Sequence, residues 1–107
     1  MHPLIWNYPT LGVLFEGDNG TCVPYVKVLS GKPYSGNAIE WTKFINSSRP
    51  SLGAVVVFDV GRYGHLAVVV RLYEDYMIVS ERNYYGLWIV NERRVEFSDP
   101  TILGYID

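Results

Sequence analysis

The sequence predicts an α+β domain, with helices in its first half packed on an antiparallel sheet of about five strands. Three observations carry this. Helical patterns bounded by turn residues occupy roughly residues 22–45, and β-branched runs dominate after Gly53. The links between those runs are too short for crossover helices, so neighbouring strands must run antiparallel. At 107 residues, 49% hydrophobic and 19% charged, the chain suits one domain around one core, expected over residues 1–107.

Residues 1–17 read as an apolar, irregular lead-in. Pro3 and Pro9 interrupt it and it lacks a Lys/Arg n-region, so it does not read as a signal peptide. The first helix runs from about Cys22 to Ser30. Asn19 or Thr21 can cap it, Pro24 is tolerated in the first turn, and Gly31 ends it. Val23, Val26, Val28 and Leu29 make its expected buried stripe. A second helix spans about Ala38–Ile45 behind Asn37, with Ala38, Trp41, Phe44 and Ile45 on one face. Pro50 and Gly53 then break the chain. "GAVVVFD", "HLAVVVRLY" and "YMIVSERN" follow as strands, and "GLWIVNERRVEF" and "TILGYID" supply the rest.

Charge excludes several functions. The net charge is -2 and no Lys/Arg patch stands out, which argues against a nucleic-acid partner. The pair Arg93-Arg94 sits between Glu92 and Glu96 and reads as a solvated face. One cysteine cannot form an internal disulfide, and with two histidines it makes a poor zinc site. No metal or other cofactor is expected. No apolar run approaches the roughly 18 residues of a membrane span. A monomer is expected, and the compartment is not legible.

Strand alternation sorts the remaining polar residues. His65, Ala67, Val69 and Arg71 share one face of their strand; Val79, Glu81 and Asn83 share one face of the next. His65 opens its strand and Glu81 and Asn83 close theirs, so an antiparallel pair brings them to one end of the sheet. Cys22 stands at a helix start, where partial positive charge favours an anion. A thiolate is the nucleophilic form of cysteine, and an imidazolium both favours it and can protonate a leaving amine. The imidazole in turn needs a carboxylate or amide to orient it, here Glu81 or Asn83. Taken singly, Cys22 reads as a small buried hydrophobe and His65 as a strand-end residue. Taken together, their types and order suit a cysteine–histidine hydrolase.

"TCVPYVKVLSG", "GAVVVF", "GHLAVVV", "IVSERN" and "ILGYI", in that order from Gly20 to Ile106, resemble the CHAP domain, the cysteine, histidine-dependent amidohydrolase/peptidase. The resemblance implies a papain-like α+β fold and cleavage of amide bonds in cell-wall peptidoglycan, at the muramoyl–L-alanine bond or within the peptide. By position it implies Cys22 as nucleophile, His65 as base, Glu81 as the carboxylate that orients it, and Asn83 as the amide two residues on. It also implies action at the cell wall. One departure bears on the oxyanion site: many members have Gln before the nucleophile, and this chain has Thr21. The backbone N–H of Cys22 remains as a donor, with Asn19 or Thr21 as a second. The substrate groove is expected to draw on Arg62, Tyr63, Tyr84 and Tyr85, while Trp41, the other aromatic nearby, suits the core better. Two other functions share these residues: a non-catalytic peptide- or glycan-binding module, and a thiol amidase acting on a non-wall amide.

Overall fold

The β-branched runs after Gly53 form the sheet that organises the structure, a computed structural model describing residues 4–5 and 15–107. The strands are β1 (Leu4–Ile5), β2 (Val55–Phe58), β3 (His65–Leu72), β4 (Tyr76–Arg82), β5 (Val90–Glu96) and β6 (Ile102–Ile106). All pairings are antiparallel, in the order β5-β4-β3-β2-β6, with β1 also on β3.

Among the described residues there are six strands where about five were expected. The addition, β1, lies in the stretch expected to be irregular. β3 has eight residues and β2 only four, so β3 runs on past Val68, the last residue β2 pairs. Leu4 and Ile5 pair with Leu72 and Arg71 on that otherwise open edge. The rest of the lead-in as far as Leu14 lies outside the described residues.

Both faces of the sheet are covered, which is why "AVVVF" and "LAVVV" are continuous rather than alternating apolar runs. On one face Val55, Val57, Leu66, Val68 and Ile106 share a core with Cys22, Tyr25 and Val26 of α1 (Cys22–Ser30) and with Ala38 and Trp41. The opposite face buries Val56, Phe58, Ala67, Val69, Val79 and Val95. In α1 the buried positions are Cys22, Tyr25 and Val26, whereas Val28 of the expected stripe is 50% exposed. Tyr25 can be buried because its hydroxyl meets Ser80 Oγ at 2.7 Å. Gly31 ends the helix in the left-handed conformation (φ 74°), its N–H donating to Lys27 O.

The second expected helix is a 3-10 helix over Ala38–Phe44. Ala38, Trp41 and Phe44 are spaced by three, the 3-10 period, so they fall in line on one side. Glu40 Oε2 accepts the Asn37 N–H at 2.6 Å and closes the start of this helix. Trp41 is fully buried, packed edge-on to Tyr34, and belongs to the core rather than to any groove.

One expected alternation fails. Val69 faces Val79, but the register shifts before Arg71, which faces Ile78. This bulge turns Arg71 off the His65 face, and it pairs with Glu92 at 2.8 Å instead.

Candidate active site

His65 follows the alternation of Ala67 and Val69 and so belongs to the sheet face away from α1. Cys22 comes from the other face. The two side chains still come close enough for Cys22 to raise the His65 pKa, because each is the first residue of its element at the same end of the sheet. The site therefore wraps around one end of the sheet. Cys22 is 7% and His65 6% exposed.

His65 Nε2 lies 2.8 Å from Glu81 Oε1, which leaves Nδ1 for the sulfur. Glu81 sits opposite Asn91, its strand neighbour, and is wholly buried. Its carboxylate accepts three further hydrogen bonds, from Asn91 Nδ2 (2.8 Å), Arg93 Nε (2.8 Å) and Arg93 Nη2 (3.1 Å). Burial pushes the Glu81 carboxyl up, but the bonds from His65, Arg93 and Asn91 outweigh it and hold it below its ordinary value. For His65, burial alone disfavours the imidazolium. The hydrogen bonds to Cys22 and Glu81, with the charges of both, overcome it and raise the pKa to about 9. The arrangement holds an ionised imidazole against a sulfur at neutral pH, the partner a thiolate nucleophile requires.

Arg93 and Asn91 were not singled out in the sequence, where Arg93-Arg94 reads as a solvated face. That holds for Arg94, 58% exposed on Glu96, but the Arg93 side chain is only 18% exposed and grips Glu81. Its guanidinium also lies 4.0 Å from the Tyr84 ring centroid. The available signal was parity: Asn91 and Arg93 alternate with the same face as buried Val95.

Asn83 does not share the Glu81–His65 contact. It stands one residue past β4 with φ 70°, and its N–H donates to Ile89 O. It lines a groove of about 280 Å³ with Asn19, Thr21, Cys22, Arg62 and Tyr63. Tyr84 sits outside that lining with its ring 5.7 Å from the His65 ring, and Tyr85 stacks edge-on against Tyr84, 67% exposed. A second concavity of about 290 Å³, near Ser48, Asp99 and Tyr105, has neither cysteine nor histidine in its wall. Gly64 (φ 75°) places Arg62 and Tyr63, because a Cβ there would meet the Ile39 backbone nitrogen at 2.8 Å.

Thr21 caps α1 with extended backbone and no side-chain cap bond. Its hydroxyl and its N–H both donate to Asn19 Oδ1, at 2.6 and 3.2 Å. The Asn19 amide nitrogen is thereby turned away from Thr21, on a residue that lines the groove. Among the described residues, no acceptor in the fold takes the Cys22 N–H.

The CHAP domain family model matches residues 14–83, a span that holds Cys22, His65, Glu81 and Asn83. The chain belongs to the CHAP domain family. A probable autolysin, SsaALP, from Staphylococcus aureus (strain NCTC 8325 / PS 47) is 34% identical over 77 residues, covering 70% of this CHAP chain and 29% of the relative. The crystal structure of an N-acetylmuramoyl-L-alanine amidase from Staphylococcus aureus superimposes with a TM-score of 0.69 at 26% identity, over 88% of this chain and 32% of that one. The structure of Ly7917 shares the fold, with a TM-score of 0.61 at 19% identity over 81% of this chain and 52% of that one. This CHAP chain thus spans less than a third of the length of the first two. Asn91 and Arg93, which complete the Glu81 contacts, lie beyond the matched span.

Proposed function

We propose that this CHAP domain is a cysteine-dependent hydrolase that cleaves an amide bond of peptidoglycan, through a papain-like arrangement of Cys22, His65 and Glu81. The observation that carries the reading is the chain formed by Cys22 at the start of α1, the His65 ring beside it, and the Glu81 carboxylate 2.8 Å from His65 Nε2. A binding module has no use for that chain. The amidase and autolysin among the similar proteins support the substrate class.

The Cys22 thiolate attacks the scissile carbonyl carbon, and the carbonyl oxygen becomes an oxyanion within reach of the Cys22 N–H. The Asn19 amide is the second donor, in place of the glutamine that many relatives carry before the nucleophile. The His65 imidazolium gives its proton to the departing amine as the C–N bond breaks, leaving an acyl thioester on Cys22. His65, now neutral, takes a proton from water, whose oxygen attacks the thioester. The C–S bond breaks and the thiolate returns beside the imidazolium. Glu81 fixes the ring through each proton transfer. Arg62 and Tyr63 flank the peptide in the groove with Asn83, and Tyr84 and Tyr85 extend the contact on the His65 side.

Cys22→Ala is expected to abolish release of new amino groups from purified cell wall while the melting curve stays cooperative. Mass analysis of the fragments identifies the bond: L-alanine amino termini mean amidase, and cuts in the stem or cross-bridge mean endopeptidase. Full activity of Cys22→Ala would overturn the reading.

A further inference from the structure

Consecutive residues of β4 serve opposite faces of the sheet. Glu81 points to the His65 side, and Arg82 points to the α1 side, where its side chain is wholly buried. There the guanidinium binds the nucleophile loop twice. Its terminal nitrogens hold the Asp18 carboxylate, 99% buried, in a two-pronged contact that includes Nη1 to Oδ2 at 3.2 Å. Its Nε donates to the Thr21 carbonyl oxygen at 3.0 Å. Asp18 in turn accepts the Gly20 N–H at 3.0 Å, and the Trp88 N–H donates to Gly20 O at 2.9 Å. The Trp88 indole lies so close over Gly20 that a Cβ there would meet it at 2.6 Å, and Arg82 lies 5.0 Å from the same ring.

The second contact bears on the chemistry. Thr21 C=O and Cys22 N–H belong to one trans peptide unit, which is planar, so the two bonds point in opposite directions. A donor fixed on the Thr21 oxygen therefore fixes the direction of the Cys22 N–H. It also draws charge toward that oxygen, which makes the N–H a stronger donor. We propose that Arg82 is a positioning residue that aims the Cys22 backbone N–H at the oxyanion formed on the substrate carbonyl. The inference rests on the cysteine-hydrolase reading above. It makes one strand the template for both halves of the site: Glu81 holds the imidazole, and Arg82 holds the peptide unit of the nucleophile.

Arg82→Lys tests this. A lysine keeps the charge for Asp18 but carries all its donors on one nitrogen, so it cannot reproduce the separate Nε and Nη contacts that hold the Thr21 oxygen and Asp18 together. Two rates are compared. Peptidoglycan hydrolysis needs the oxyanion donor; alkylation of Cys22 by iodoacetamide needs only the thiolate and access to it. The expected result is a fall in kcat of at least about ten-fold, up to the roughly 10²–10³-fold that loss of an oxyanion donor causes. KM and the pH profile of alkylation stay at wild-type values. The variant Asp18→Leu with Arg82→Met removes both buried charges together and must show the same split where the lysine variant does not fold. Wild-type kcat in either folded variant overturns the inference. So does a parallel loss of hydrolysis and alkylation, or failure of both variants to fold, since each assigns Arg82 to stability alone. A wild type without hydrolytic activity is a separate outcome, which removes the hydrolase reading and this inference with it.

Discussion

Glu81→Gln keeps the shape of the most heavily bonded side chain in the site and removes its charge. The carboxylate now receives four hydrogen bonds, two at Oε1 from His65 and Arg93 and two at Oε2 from Asn91 and Arg93. A glutamine has one acceptor oxygen and one NH2 group. Whichever way the amide is turned, one Arg93 nitrogen meets an N–H, and Arg93 has lost its counter-charge. Breaking a buried ion pair from one side costs about 3–5 kcal/mol. Arg93 retains some solvent contact, so the lower end, about 3 kcal/mol, applies here. For a domain of this size that is a fall in Tm of roughly 12–24 °C, taking about 4–8 °C for each kcal/mol. Melting followed by circular dichroism at pH 6.5 reads it. The same variant removes one of the two partners that keep His65 protonated, so the alkaline limb of kcat/KM should move toward lower pH. A Tm within about 4 °C of wild type, a change of at most ~1 kcal/mol, together with an unmoved alkaline limb, would refute the argument that Glu81 anchors the site by its charge.

Stability should also depend on pH through His65. Its pKa is raised in the folded state, from 6.5 to about 9. The contribution is therefore complete below pH 6.5 and is lost as the pH rises to about 9, amounting to about 3 kcal/mol. Urea unfolding at pH 6 and pH 9.5 should differ by about that much in wild type and by far less in His65→Gln; equal pH dependence in the two proteins would contradict it. Two glycine substitutions separate strain from crowding. Gly64→Ala and Gly61→Ala both force a left-handed alanine, at about 1–2 kcal/mol. Only at Gly64 does the new Cβ meet backbone, at Ile39 N, so only that variant should also displace the Arg62–Tyr63 wall and lower activity. Equal losses in the two variants would show that the Ile39 contact does not place the groove.

The parts of the site that were legible lie at the ends of locally patterned elements. Cys22 follows a turn and precedes an apolar helical stripe. His65 follows Gly64 and opens a β-branched run, and the β3–β4 link is short enough to bring Glu81 beside it. Those inferences need only periodicity and loop length. Arg93 needed more. Its contact with Glu81 depends on the β4–β5 register, set across the loop 83–89, and a slip of one residue would have turned it to the other face. Arg71 shows the converse: one bulge, invisible in the composition of its strand, moved it off the His65 face.

The order of Cys22, His65 and Glu81 along the chain, the α+β class and the antiparallel pairing were determined by the sequence by itself, because turn residues and hydrophobic periodicity act over a few residues at a time. The tertiary structure alone decided which partners the buried arginines meet. Arg82 reaches Asp18 and Thr21 across more than sixty positions of chain, and Leu4–Ile5 completes β3 from its far end. Such contacts form because a buried charge or an open strand edge must find a partner in space, and separation along the chain does not specify which one it will be.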